Sequence, residues 1–349
     1  MQSRAYAVAI AAIAAGVFLA VITANLMLDP QAVFGTGLFA GSPNTNSRYR
    51  RLVAYQAEPA RYDGLVFGSS RARAIPRHEL SRRLDGIAFA DFAVDFGSIA
   101  DHLPALEYVV KDKAARREPL RAVFLLLDVD TAGLRPKANK FIQTLLPPEL
   151  TGDSTARFWW RNLTAIQFAA WQSSIRAALG WSKPGGLTPN WKSVWWDPAA
   201  LLALLIPPAQ AQGEARAPAA GAAEPRHKIM DGIYFDQQLR LLQQFVAVCR
   251  QHGITLMVAT SPLNPVHAAT FEPGEIEAAA ERISQIVPLW DFSQPNAMLV
   301  DPQRWTDPVH FDAKVAHMMV GRILGDEMPA EWQEFGRLRA RDGTAVSLR

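Results

Sequence analysis

From Asp63 onward the chain alternates short apolar runs with amphipathic helical patterns, and few architectures accommodate that alternation. The runs are Leu65–Phe67, Ile87–Phe92, Ala122–Leu127, Ile254–Ala259 and Ile286–Trp290. Between several of them lie Ile75–Leu84, Leu103–Lys113, Phe235–His252 and Glu275–Ile283, whose apolar residues recur at helical spacing. A last helix is expected from about Asp312 to Leu324, with Val315, Met318, Met319, Val320 and Ile323 on its apolar face. A strand apolar at every position must be covered on both faces, and helices between such strands supply the cover. The pattern predicts an α/β domain on a parallel sheet over residues 61–325.

Composition sets the limits around this domain. At 349 residues and 49% hydrophobic, the chain can fill one large core or two modest ones. The net charge is only +3, and no basic stripe is interleaved with aromatics, so no nucleic-acid partner is indicated. The Arg-rich stretch from Arg337 to Arg349 reads as a solvated end within a C-terminal tail, 326–349. The single cysteine, Cys249, can form neither an internal disulfide nor a cysteine-rich zinc site, and reads as a small buried residue of a helix.

The first thirty residues form a separate segment. Tyr6 to Leu28 carries no charge and is dense in Ala, Val, Ile and Leu. At about 1.5 Å per residue it can cross a hydrocarbon layer of ~30 Å. Arg4 precedes it and Asp29 follows, which places the N-terminus in the cytoplasm and the rest of the chain outside. A cleaved signal peptide ending near Ala24 is the rival reading, but no clean A-x-A site closes the run. Residues 1–30 are therefore taken as an uncleaved anchor in the cytoplasmic membrane, and 31–60 as a juxtamembrane connector with a short helix near Arg50–Gln56.

The alternation breaks over residues 131–230, which hold seven of the ten tryptophans: Trp159, Trp160, Trp171, Trp181, Trp191, Trp195 and Trp196. This stretch reads as a helical insertion, clearest over Ala156–Leu179, with a flexible low-complexity segment at 207–225. Its tryptophans are suited to a small core of the insertion, to a carbohydrate or acyl pocket, or to a membrane interface.

Two short motifs can carry chemistry. The apolar run ending at Phe67 is followed by Gly68-Ser69-Ser70. Glycine permits a tight strand-to-helix turn, one serine can cap the helix, and the other can stand as a nucleophile beside free helix N-terminal amides. Alone, this is the composition of an ordinary turn. The second motif is Trp305-Thr306-Asp307-Pro308-Val309-His310, directly before the last helix. At a spacing of three, a carboxylate can hold one imidazole nitrogen and leave the other to take a proton from serine. Alone, it reads equally as a helix cap and a surface histidine. In a parallel sheet both motifs project from the C-terminal edge of the strands, where ligands bind. Arg71 is suited either to an anionic substrate or to an ion pair on a helix surface. No P-loop, G-x-G-x-x-G or H-E-x-x-H occurs, and no metal or organic cofactor is called for.

Gly68-Ser69-Ser70-Arg71, the stretch 94–110 (VDFGSIADHLPALEYVV) and Asp307-Pro308-Val309-His310 together resemble the blocks of the SGNH, or GDSL-like, hydrolases in their membrane-anchored GSSR variant. Residues 289–296 (LWDFSQPN) resemble the strand and turn often seen before the last block, and the resemblance spans about 60–130 and 230–325. It implies a three-layer, flavodoxin-like α/β domain. It implies a triad of Ser70, His310 and Asp307, and oxyanion donors at the N–H groups of Ser70 and Gly97. The family's third block supplies an asparagine as a further donor, whereas the strand end here is Leu125 to Asp130, with Asp128 and Asp130. Asn264 is a candidate to replace it, His267 is a further candidate to face the site, and Asp128 is then structural or orients a neighbour.

GSSR-type members include relatives of the D-alanyl transfer protein of teichoic acid synthesis and of alginate acetylation factors. The resemblance thus implies an exported serine esterase or O-acyltransferase on acyl esters of cell-envelope polysaccharide or lipid, working beside a membrane-bound acyltransferase complex. The replaced third block leaves a non-catalytic alternative: a glycan-binding or scaffolding subunit of such a complex.

Overall fold

The computed structural model describes residues 2–36, 46–133, 146–179, 227–230 and 233–340. The chain divides into two compact units, one of residues 1–46 with 153–224, the other of residues 47–152 with 225–349.

The described residues of the first unit are mostly helical. α1 (Gln2–Leu28) is long and apolar enough to be a membrane span or a signal sequence, with a mean hydropathy of 2.6 over its most apolar window. Among the described residues no other helix meets that test.

The second unit begins with α2 (Ser47–Ala57), then β1 (Gly64–Gly68), α3 (Arg77–Arg83), β2 (Phe89–Ala93), α4 (Ile99–Arg116) and β3 (Ala122–Leu127). The chain then supplies α5 (Thr155–Thr164) and α6 (Phe168–Ala178) to the first unit. It returns with α7 (Ile233–Gln251), β4 (Thr255–Thr260), α8 (Glu275–Ser284), β5 (Leu289–Asp291), α9 (Ala313–Ile323) and β6 (Arg337–Arg339). The six strands form one sheet in the order β2-β1-β3-β4-β5-β6, parallel except for β6. The order 2-1-3-4-5 is one of the two common doubly wound orders, with its switch point between β1 and β3.

Helices cover both faces. On one, Leu65, Phe67, Val123 and Leu125 meet Leu106 and Val109 of α4, Phe235 and Phe245 of α7, and Ile283 of α8. On the other, Val66, Phe124 and Met257 meet Leu80 of α3 and Val315, Met319 and Val320 of α9. Residues alternate between the two cores along β1, β3 and β4, so the run Leu65–Phe67 and β3 had to be apolar throughout. Cys249 is buried in the first of these cores, as expected.

Three sequence expectations are altered. Part of the stretch assigned to a connector is integral to the sheet domain: Leu52 and Tyr55 of α2 are buried in the first core. The helix expected over Ala156–Leu179 is two helices. It breaks at Ala165, whose backbone turns extended, and Asn25 Nδ2 donates to the freed carbonyls of Leu163 (2.8 Å) and Ala165 (2.9 Å). No local sequence signal marks this stop, because the groups that satisfy it come from α1. Finally, the tail is not merely solvated. β6 pairs antiparallel with β5, Phe335 is buried, and Arg339 donates to Asp291 (2.7 Å) and to Glu277 (2.8 and 2.6 Å). A three-residue strand has no readable period, and an arginine there looks solvated until its carboxylate partner is known. The segment 207–225, Trp181, Trp191, Trp195, Trp196 and residues 341–349 lie outside the described residues.

Asp291 is fully buried, so removing Arg339 strands a carboxylate. Arg339→Ala is expected to cost about 3 kcal/mol, read as a lowered urea midpoint of the full-length protein in detergent. An unchanged midpoint would show that β6 adds nothing to the fold.

Candidate active site

Gly68 closes β1 with φ +150°, a backbone region that side chains rarely enter. A Cβ there would lie 2.6 Å from the Ala72 Cβ and 2.9 Å from the Leu126 carbonyl oxygen, so a side chain fits neither the dihedral nor the space. The two serines then divide the labour. Ser69 caps the turn, its Oγ accepting from the Arg71 N–H at 3.2 Å. Ser70 opens the 3-10 turn Ser70–Ala74 and keeps its hydroxyl for another partner. The helical continuation after the serines is thus a 3-10 turn first, and α3 starts only at Arg77.

That partner is His310. Ser70 Oγ lies 2.7 Å from His310 Nε2, and His310 Nδ1 lies 2.6 Å from Asp307 Oδ2. Asp307 is itself fixed, since its Oδ1 accepts the backbone N–H groups of Val309 and His310, each at 2.9 Å. Burial is the largest single influence on it and works against its charge, but it acts alone. The Val309 and His310 hydrogen bonds win, and hold the carboxyl below its ordinary value. An ionised Asp307 takes the Nδ1–H of His310, which leaves Nε2 as the acceptor facing the Ser70 hydroxyl. The loop is locked by Asp312, which caps α9 by accepting from Val315 N at 2.8 Å.

A second cluster ties this site together. Arg71 is 6% exposed and faces inward. Its guanidinium is bidentate to Asp130 (2.7 and 2.8 Å), donates to Ser261 Oγ (3.1 Å), and comes within 3.4 Å of Asp128. Its Nε donates to the Val309 carbonyl at 2.9 Å, inside the loop that carries Asp307 and His310. His267 Nε2 closes the far side of Asp130 at 2.9 Å. Desolvation opposes the Arg71 charge, but Asp128 and Asp130 outweigh it and hold the guanidinium above its ordinary value. For Asp130 burial is likewise overcome, by the hydrogen bonds from His267 and Arg71, and its carboxyl lies below the ordinary value. Asp128 goes the other way: burial, with Asp130 alongside, raises it in spite of Arg71.

Several expected site residues are placed differently. Arg71 is not an exposed anion binder, because its donors are consumed inside the fold, and its ion pair is buried rather than on a helix surface. Gly97 does approach the serine turn, with a Cβ position 2.9 Å from the Gly68 carbonyl, but its N–H is donated to Val94 O at 2.9 Å. The Ser70 N–H has no acceptor among the described residues. Asn264 caps the short helix Pro265–Ala268 through Val266 N (2.9 Å), and His267 reaches the serine turn only through Asp130 and Arg71. Asp130, Ser261 and the Val309 carbonyl carry the cluster, and no spacing rule marks them, because they come from three separate strand ends or loops. Beside Gly97, Phe96 is 74% exposed and has a left-handed backbone, φ +52°. Under Gly97, burial pushes His102 down to about 4, so its ring is neutral.

Gly68→Ala is expected to lower the thermal midpoint by the equivalent of about 1–3 kcal/mol and to displace Ser70. An unperturbed midpoint would contradict the role of the turn. Asp128 gives a pH test. A carboxyl raised in the folded state weakens folding as pH climbs from its ordinary value of 3.8 toward the raised one. Asp128→Asn removes that penalty, so its stability relative to wild type should match near pH 4 and improve toward neutrality. A variant equally destabilised at both pH values would contradict this. No protein-family model matches the sequence and no curated protein matches it significantly, so the chemistry rests on the geometry of these residues.

Proposed function

We propose that the protein is an exported serine esterase or O-acyltransferase of SGNH type, anchored in the cytoplasmic membrane by α1 with its α/β unit outside. The observation that carries this reading is the unbroken hydrogen-bond chain Ser70–His310–Asp307 at the sheet's switch point. Ser70 Oγ attacks the ester carbonyl while His310 Nε2 takes its proton. The C–O bond to the alcohol then breaks, and the departing oxygen receives that proton from His310. Water or a sugar hydroxyl attacks the acyl-Ser70 in turn and gives its proton to His310 Nε2; the acyl C–O bond to Ser70 Oγ then breaks, and His310 returns that proton to Oγ. Asp307 stabilises the imidazolium in both halves. The Ser70 N–H, free of an internal acceptor, is the first oxyanion donor. The reaction calls for no metal or organic cofactor. The substrate class, acyl esters of envelope polysaccharide or lipid, and a partnership with a membrane-bound acyltransferase follow from the GSSR-type resemblance and the apolar helix.

A second reading is favoured by one observation: the Gly97 N–H is spent on Val94, and a carboxylate stands at Asp128 where the resemblance implies an amide donor. A site with one oxyanion donor suits a non-catalytic glycan-binding or scaffolding subunit. Hydrolysis of acylated glycans by full-length protein in detergent separates the two. On the enzyme reading, Ser70→Ala and His310→Ala each lower kcat/KM on the order of a thousandfold or more, with the fold retained by circular dichroism. Undetectable turnover in wild type, or equal turnover in the variants, would count for the subunit.

A further inference from the structure

We infer that α5 and α6 lie in the membrane interface beside α1, with their exposed apolar side chains against lipid, forming a collar where α1 leaves the bilayer. The inference rests on the reading of α1 as a membrane span.

Length argues first. Residues 4–20 of α1 are bare, and cover begins at Val21. The bare apolar part, residues 5–20, spans about 24 Å at 1.5 Å per residue. A hydrocarbon layer is ~30 Å thick. The bilayer must therefore extend past the bare segment, over the last turns of α1, where α5 and α6 pack. Trp160 of α5 reaches down to the Phe18 ring, with centroids 5.8 Å apart.

Polar satisfaction argues second. Asn25 is fully buried near the end of the apolar helix. Its Nδ2 serves the Leu163 and Ala165 carbonyls, and its Oδ1 accepts from Trp171 Nε1 at 2.8 Å. Where water cannot compensate, each of these groups needs a protein partner, and each has one. One residue thus satisfies both the α5 end and the α6 indole. On its C-terminal side, away from Phe18, Gln31 and Gln167 pair at 2.6 Å, and Asp29 gathers the N–H groups of Val33, Phe34 and Gly35, marking where the polar side begins.

Surface composition argues third. Trp160, Ile166, Phe168, Ile175 and Leu179 are 44–62% exposed within twenty residues. Residues 154–179 contain three arginines and no Asp or Glu. So many exposed apolar side chains in so short a stretch are unusual in water and characteristic of segments lying in an interface.

The test uses the full chain in phosphatidylcholine proteoliposomes, with an environment-sensitive thiol fluorophore. Cys249 stays in place, because it is 1% exposed and burial pushes its thiol up to about 12, and unsubstituted protein reports any background. Single Ile166→Cys, Ile175→Cys and Ile13→Cys variants carry the label. The expected result is that labels at 166 and 175 lose a fraction of fluorescence to acyl-chain nitroxide lipid comparable with the label at 13, and little to aqueous iodide. Iodide quenching at 166 and 175, with nitroxide quenching retained at 13, would overturn the collar and leave the span intact. Iodide quenching at 13 as well would remove the span and the collar with it.

Discussion

Arg71 brings a full positive charge to a place where almost no water reaches it, and the candidate site is organised by how that charge is answered. Asp130 meets it with two hydrogen bonds from the end of β3, Ser261 from the end of β4, and the Val309 carbonyl from the loop before α9. Three chain segments far apart in sequence are pinned to the residue immediately after Ser70. Buried ion pairs do not by themselves make a fold stable, since desolvating both partners costs much of what their attraction returns. What they do is penalise every arrangement in which one partner is missing. The Ser70 turn and the His310 loop are thereby held at a fixed separation by a link additional to the Ser70–His310 hydrogen bond itself.

The same cluster accounts for the two aspartates where an amide donor was expected. A lone carboxylate beside a developing oxyanion would be repulsive. Here Asp130 is hydrogen-bonded by Arg71 and His267, and the Arg71 guanidinium also comes within 3.4 Å of Asp128. The Arg71 charge thus offsets part of the negative charge that two aspartates bring near the serine turn. Gly68 completes the arrangement from the other direction, because its dihedral and the nearby Leu126 carbonyl exclude any side chain at the base of the turn. Electrostatic pinning and steric exclusion act on the same few residues.

In the helical unit a single amide does comparable work. Asn25 sits within an otherwise apolar helix and terminates α5 by serving its last carbonyls. A polar residue in an apolar span reads from sequence as an imperfection. Its partners make it a docking device.

Much of the sheet domain was legible because burial imposes a local rule. Leu65–Phe67 and Ala122–Leu127 are apolar at every position since both faces are covered, and that needs no knowledge of the partner. Asp307 and His310 were legible for a similar reason: three residues apart, they meet within one loop. That one serine of the pair caps the turn and the other presents its hydroxyl followed from turn chemistry, whereas Ser70 as the second of these came only from the family resemblance. The fate of Arg71, the stop at Ala165 and the strand at Arg337–Arg339 were not legible. Each depends on a partner tens to hundreds of residues away, and short-range periodicity carries no information about it. The sequence by itself determined which segments must be buried and which residues could meet locally. Only the tertiary structure decided which distant charge or carbonyl each polar group would find, because that choice is set by chain crossings and desolvation rather than by spacing.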